Sequence, residues 1–308
     1  MTGKRRTGAT GPLNPQSQLF ELPARAAEQV FPRFLILQEC VTLAGNTFLL
    51  GLPVAKRSKE LVTKNSYRIG LLVPSSNTTV EPEFYRALPA SVTLHTARLF
   101  LTEITPEAIL KLVEDLETQS RLLASADVDV ILLGATAPSF LKGAGYDREV
   151  MSRIERATGR TATTTSTALL RALRMLDVKR IVLGSAYTEK VNAIAQNFLE
   201  ANGFKVVAAR GLGIVDNLAV GRLGPESAYD LARAAGSVDA DAVVLACTNW
   251  RSMDVIERLE RELGKPVLST TQVSVWDSLR LVGYRGEVSG YGRLLRTLAT
   301  DSSLAAVA

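Results

Sequence analysis

The chain repeats itself, and the repeat limits what it can fold into. RIGLLVPSS from Arg68 aligns with RIVLGSAYT from Arg180, and DVILLGATA from Asp129 aligns with DAVVLACTN from Asp241. Both pairs are offset by 112 residues, while ATGRTATTTST from Ala157 matches ELGKPVLSTTQ from Glu262 at an offset of 105. Two separate segments that share one offset imply a duplicated unit. The runs at 67–74, 127–136, 179–187, 241–248 and 265–270 are short, apolar and closed by small or polar residues. Stretches of helical period, such as PEAILKLVEDLETQSRLLASA and SMDVIERLERELG, lie between them. Strands alternating with helices predict βαβ units, so each copy is expected to carry a mostly parallel sheet covered on both faces.

The expected division is an N-terminal extension over 1–65, a first half over 66–176 joined by C-terminal residues 277–300, and a second half over 177–276. If the halves face each other, the strand ends of both line one cleft, a favoured place for a ligand. The extension differs in character. It holds nine Lys/Arg against four Asp/Glu, whereas the remaining chain holds 27 of each sign, so the net charge of +5 belongs to it. MTGKRRTGATGPLNPQSQ has no hydrophobic period and is expected to be disordered or outside the core. Residues 34–55, FLILQECVTLAGNTFLLGLPVA, have the length of a membrane span,. Gln38, Glu39, Asn46 and Pro53 interrupt them, and one central acid costs about 2.5–3.5 kcal/mol on insertion scales, so no membrane partner is expected. The neutral body gives no electrostatic reason to bind nucleic acid. Cys40 and Cys247 are too few for a disulfide framework, and a reducing, cytoplasmic location is expected.

His95 is the single histidine, so a Ser–His–Asp triad or a multi-histidine zinc site would have to be built around that one residue,. VVLACTNW (243–250) is more informative, because an apolar run ends there on a cysteine. A buried strand can use cysteine as a small hydrophobe. The alternative is a thiol at the carboxyl end of a strand, where α/β sheets gather their chemistry. Cys247 is expected to precede a helix starting near Asn249 or Ser252, whose amides would lower its pKa and suit it to proton transfer. Asn77, after Pro74-Ser75-Ser76, either holds a carboxylate or caps the next helix. The amides of Thr136 and Ala137, with the Thr136 hydroxyl, suit an enediolate's negative charge. Thr248 and Asn249 mirror them. Tyr187, aligned with Ser75, either hydrogen-bonds a substrate or fills the interface. Asn217 reads as a turn or cap residue, Glu81 and Glu83 as solvated first-turn acids, and Trp250 and Trp276 as packing.

VPSSNTTVEPEF (73–84), GATAPSFLKGAGYD (134–147), SAYTEKVN (185–192), VDNLAVGRL (215–223), LACTNW (245–250) and GYGRLL (290–295) together resemble the aspartate/glutamate racemase superfamily. The nearest branches are maleate cis-trans isomerase and arylmalonate decarboxylase. The resemblance runs from about Tyr67 to Leu295. It implies two pseudo-symmetric, flavodoxin-like α/β domains with the active site at their interface, no cofactor or metal, and a small carboxylate substrate. It also implies catalysis by Cys247, with Ser76, Asn77, Ala135, Thr136, Ala137, Tyr187, Asn217, Thr248 and Asn249 around the substrate. Racemases and isomerases of the superfamily place one cysteine in each half. Here Cys247 matches the second, and Ala135 stands at the first. Arylmalonate decarboxylases keep only the second-half cysteine, whereas PSSNTTVEPE and VDNLAVGRL look like the isomerase branch. The expected activity is a cofactor-independent proton transfer at the α-carbon of a small carboxylate or dicarboxylate, of the decarboxylase kind. The alternatives are a maleate-isomerase-like reaction through Cys247 alone, a role like that of the family's ectoine-utilisation member, and a carboxylate-binding protein without turnover. A homo-oligomer is compatible with each.

Overall fold

The computed structural model describes residues 66–300, together with Thr42–Leu43 (β1) and Asn46–Thr47 (β2), which pair antiparallel. The expectations for a disordered start, for the apolar stretch 34–55 as a whole and for Cys40 lie outside the described residues. Among the described residues no helix is long and apolar enough to cross a membrane.

In the first copy of the repeat the order is β3 (Tyr67–Pro74), α1 (Val80–Ala87), β4 (Val92–Leu99), α2 (Pro106–Leu112), α3 (Leu116–Ser125), β5 (Val130–Leu133), α4 (Thr136–Phe140), α5 (Tyr146–Thr158), β6 (Thr161–Thr164) and α6 (Thr165–Met175). The second copy runs β7 (Arg180–Ser185), α7 (Glu189–Ala201), β8 (Lys205–Gly211), α8 (Asn217–Gly221), α9 (Pro225–Ala235), β9 (Ala242–Ala246), α10 (Met253–Leu263), β10 (Val267–Ser269) and α11 (Thr270–Leu281), with α12 (Arg293–Arg296) after it. Two four-stranded sheets result, ordered β4-β3-β5-β6 and β8-β7-β9-β10, and every neighbouring pair in them is parallel. These are the two pseudo-symmetric α/β units that the repeat predicts, with identical strand order.

The duplication reaches individual side chains. The amide of Arg68 donates to Asp129 Oδ2 at 2.9 Å, and the amide of Arg180 to Asp241 Oδ2 at 2.7 Å. The guanidinium of Arg68 lies 3.0 Å from Asp127, and that of Arg180 lies 2.7 Å from Asp239. These exposed pairs contribute little to stability, but they set how each first strand enters the sheet beside its neighbour. The inner strands β3, β5, β7 and β9 are apolar and buried on both faces, as strands between helical layers must be,.

The two copies meet where α6 packs against α11, which also covers β5 and β6. Both helices start on capped strand ends. Thr164 Oγ1 accepts from the Thr167 amide at 3.1 Å, and Ser269 with Gln272 forms a capping box on α11,. The seam is small and polar. Thr165 and Ser274 share a hydrogen bond of 2.9 Å. The fully buried Asp277 carboxylate accepts from Thr163 Oγ1 at 2.7 Å, Arg171 Nη1 at 2.7 Å and Arg280 Nη2 at 3.0 Å. Asp277→Ala leaves two guanidinium groups without their acceptor, although both reach partly to water. A loss of about 2–3 kcal/mol is expected, read as a lower urea midpoint at unchanged m-value. A loss under about 0.5 kcal/mol, typical of an ordinary surface change, would show that the seam does not depend on this carboxylate.

Candidate active site

The apolar strand β9 ends at Ala246, and the chain must leave the sheet there to reach α10. Cys247 makes that exit with φ at +148°, a conformation rarely adopted by residues other than glycine and costing about 1–3 kcal/mol,. Bonds on either side hold it. Its amide donates to Thr270 Oγ1 at 3.0 Å, and its carbonyl accepts from the Trp250 amide at 3.0 Å. The next residues are held from the other copy. Thr248 Oγ1 accepts from Asn77 Nδ2 at 3.2 Å and donates to the Gly134 carbonyl at 3.0 Å. Asn249 Oδ1 accepts from the Thr78 amide at 2.9 Å, and its carbonyl accepts from Thr79 Oγ1 at 2.9 Å. Asn249 Nδ2 donates to the Asn217 carbonyl at 2.6 Å.

The strand ends of the two sheets line one cleft, open to solvent at its mouth. Cys247 and Ala135 both line it, as do Asn77, Thr136, Ala137, Tyr187, Asn217, Thr248 and Asn249. Ser76 is absent from the lining. Its hydroxyl instead accepts from Asn217 Nδ2 at 2.8 Å and is bonded to the Leu101 carbonyl, so it stands behind Asn217. Asn77 caps the next helix and also lines the cleft. Its Oδ1 caps the start of α1, accepting from the amides of Thr79 and Val80 at 2.9 and 3.0 Å, while its amide reaches the cleft. Asn217 is not merely a cap. Asp216 caps α8, and the buried Asn217 faces the cleft. The remaining wall is apolar: Pro74, Leu101, Ile104, Ile109 and Pro138. Pro74 and Pro138 fall within the motifs quoted above, whereas Leu101, Ile104 and Ile109 fall in none, and the sequence pattern does not point to them. Among the described residues no Asp, Glu, His, Lys or Arg lines the cleft.

Two expectations are overturned. The Cys247 thiol is not activated. Its residue is only 5% exposed, and burial pushes the thiol up to about 11 despite hydrogen bonds from the Asn249 amide, the Tyr187 hydroxyl and the Trp250 amide,. The following helix begins at Met253, too far along for its first turn to offset that burial. Glu83 is not solvated either. It is 1% exposed, and its Oε1 accepts from the amides of Ser252 and Met253, each at 3.2 Å, at the start of α10 in the other copy. Glu81 does remain at the surface, paired with Arg98. Trp250 and Trp276 are packing residues, with their indole N–H groups on Ser227 and Thr297 at 2.8 and 3.0 Å.

Tyr187 lies buried between the cysteine and Thr136. Burial raises its phenol well above the usual value, the charge of a Cys247 thiolate raises it further, and the Thr136 hydroxyl opposes both. That hydroxyl is near enough to act on Tyr187 but poorly aligned, so Thr136 Oγ1 is left without a hydrogen-bond partner in the protein. A buried donor without a partner is costly unless a ligand completes it.

The arylmalonate decarboxylase family model matches residues 69–295. The chain belongs to this family. It is 33% identical over 229 residues to the arylmalonate decarboxylase of Bordetella bronchiseptica, covering 73% of this chain and 95% of that one. It is also 33% identical over 239 residues to the maleate isomerase of Nocardia farcinica, covering 74% and 95%. A solved structure of the Nocardia farcinica maleate cis-trans isomerase, a cysteine-to-serine mutant with a covalently bound succinylcysteine intermediate, superposes with a TM-score of 0.71 at 31% identity, covering 75% of this chain and 98% of that one. The fold is thus that of a family of cofactor-independent enzymes whose chemistry involves cysteine.

Within this family's site, the state of the thiol is directly testable. Alkylation of Cys247 by iodoacetamide, followed on its own peptide by mass spectrometry, should rise about tenfold per pH unit between about pH 8 and 10, tracking the thiolate. Tyr187→Phe removes a donor to the sulfur and should slow the reaction throughout that range. A rate already level at neutral pH would mean an activated thiolate.

Proposed function

We propose that this enzyme decarboxylates a small α-substituted malonate and protonates the resulting enediolate on one face, with Cys247 as the proton donor. The observation that carries this reading is geometric: Cys247 and Ala135 line one cleft from equivalent strand ends, so a thiol stands on one side of it and none on the other, and burial raises that thiol's pKa. A thiol with a pKa of about 11 keeps its proton at neutral pH. That is the state required of a general acid, whereas addition to a carbon–carbon double bond requires a thiolate. Ala135 supports the same choice, since it offers neither a nucleophile nor a second acid across the cleft.

The lining fits a dicarboxylate asymmetrically. One carboxylate meets neutral donors: the unpaired Thr136 hydroxyl, Tyr187 and the amides of Asn77 and Asn217. The other lies toward Leu101, Ile104, Ile109 and Pro138, where an anion is desolvated without a counter-charge. Loss of carbon dioxide removes that charge from the apolar side. The electron pair of the broken C–C bond enters the enediolate, whose oxygens stay on the donors. The α-carbon then takes the thiol proton, and solvent returns a proton to the thiolate. The maleate-isomerase alternative draws on PSSNTTVEPE and VDNLAVGRL and on the isomerase relatives. In the Nocardia farcinica isomerase variant a succinyl group is attached to a cysteine while another cysteine is replaced by serine. This chain has no cysteine at 135 to share such a task.

A panel of aryl- and alkylmalonates, maleate and amino acids tests the choice. Carbon dioxide release from a malonate is expected, with deuterium from heavy water entering one face of the product, and Cys247→Ala should lower the rate by about 10²–10⁴. Conversion of maleate to fumarate in preference to any decarboxylation would replace this reading by the isomerase one. Binding across the panel without turnover would leave a carboxylate-binding protein.

Ala135→Cys gives a second expectation, because Ala135 and Cys247 line the same cleft from equivalent strands. A thiol there would meet the opposite face of the α-carbon. The variant should racemise a chiral α-aryl acid that the parent exchanges on one face only, seen as loss of optical purity in heavy water. A folded variant with parent turnover and product of one hand would sink the opposed-face geometry.

A further inference from the structure

Glu83 plays no part in the reaction outlined above, yet it is a buried carboxylate that crosses between the two copies. It stands on α1, whose preceding residues Asn77, Thr78 and Thr79 already grip Thr248 and Asn249. One oxygen receives the amides of Ser252 and Met253 at 3.2 Å each. The other, Glu83 Oε2, is buried with no hydrogen-bond partner, and neither has the neighbouring Thr271 Oγ1 a well-formed one. A packing role alone would be served by an apolar side chain without that desolvation. We propose that Glu83 is a positioning residue for Cys247: it anchors the end of the Cys247–Ser252 loop, and so holds the Asn249 and Trp250 amides on the sulfur. The proposal rests on Cys247 being the reacting group, but not on which reaction it performs.

The groups acting on the thiol are the Asn249 and Trp250 amides and Tyr187, so Glu83 acts through the loop. Burial raises the Glu83 carboxyl to about 7, with Asp254 adding to the rise, while the bonded Met253 and Ser252 amides and the nearby Thr271 hydroxyl oppose it. Asp254, on α10, is itself paired with Arg86 of α1 and with Arg251 of the loop before α10 at 3.1 and 3.4 Å, and both arginines line one recess with Glu83. Thr271, on α11, brings no charge. An ionised carboxylate accepts amide hydrogen bonds more strongly than a neutral acid does. The grip on the loop therefore tightens as pH rises through the carboxyl's titration, and the thiol becomes easier to ionise.

The test compares the full chain with its Glu83→Gln variant, each with Cys40→Ser so that alkylation reports Cys247 alone. Below about pH 6 the carboxyl is neutral in the parent, and the iodoacetamide rates of the two proteins should coincide. Above about pH 8 the parent should react about fivefold faster, the difference between a charged and a neutral hydrogen bond expressed as a rate. The parent's profile should accordingly carry an inflection near pH 7 that the variant lacks, with similar melting temperatures for both. Profiles that stay parallel from pH 5 to 10 would overturn the proposal, whatever the effect on melting, because a merely structural glutamate changes stability and not the shape of the profile. If the variant does not fold, the parent decides alone. A thiol titration with no inflection near pH 7 overturns the proposal. Because the readout is alkylation and not turnover, it is independent of the malonate assay: failure there leaves this result standing, and failure here leaves the reaction unaffected.

Discussion

The site depends on one six-residue loop, Cys247 to Ser252, that belongs to one copy of the repeat and is held by the other. β9 delivers the cysteine, but Thr248 is bonded to Asn77 and Gly134, Asn249 to Thr78 and Thr79, and Ser252 to Glu83. All five partners lie in the first copy. A positive φ at a cysteine persists only where its surroundings over-determine it, and here Thr270 and Trp250 of its own copy hold the cysteine while the first copy holds the residues that follow it. The α6–α11 seam, with Asp277 under it, sets the distance between the two sheets. Docking of the halves and assembly of the reactive geometry are therefore one event. Hydrogen bonds across the cleft achieve what a disulfide or a metal achieves in smaller folds.

Burial then decides the chemistry. A cleft without charged side chains binds a carboxylate only through aligned neutral donors, each worth more in a low-dielectric site than in water. The same burial holds the thiol protonated, and it leaves the Thr136 hydroxyl waiting for an acceptor. An arginine in this cleft would bind a dicarboxylate more tightly. It would bind the ground state, however, and in the proposed decarboxylation would stabilise the carboxylate that has to leave. A neutral cleft with one apolar wall gives the opposite preference.

The strands legible in the sequence are those that the architecture buries on both faces. β3, β5, β7, β9 and β10 stand out as apolar runs at the repeat offset. Of the four edge strands only the buried β10 does so; β4, β6 and β8 do not, since an edge strand with one neighbour tolerates VTLHTARL or TATT. The pairing of Ala135 with Cys247 was readable from the offset alone. The apolar wall was not, because Leu101, Ile104 and Ile109 come from the irregular segment after β4 and the start of α2, where spacing carries no signal. Glu83 was misread for a physical reason: an acid in the first turn of a helix is ordinarily solvated, and only the tertiary fold turns this one toward the N-terminus of α10. The thiol was misread likewise. Reasoning from a helix start gives the direction of one contribution and omits the larger one, loss of water.

The repeat also records where the copies diverged. Its offset falls from 112 to 105 between the second and third matching segments, so seven residues of difference lie just after Ala135 and Cys247. In the first copy the chain leaves β5 through Ala135 in an ordinary extended conformation, φ −143°, and enters the short helix α4 at once. In the second it leaves β9 through the strained Cys247, and the loop replaces any counterpart of α4. The symmetry of the sheets is thus broken at two positions that line the cleft. One exit presents the Thr136 hydroxyl and the amides that open α4, which can hold an oxyanion. The other presents a thiol on a clamped turn, which can give a proton. A duplicated fold with equivalent exits would carry the same group on both sides and treat both faces of a substrate alike. In the proposed decarboxylation, unequal exits divide the work between holding and protonating, and that division, more than the missing cysteine itself, is what makes the proposed reaction one-faced.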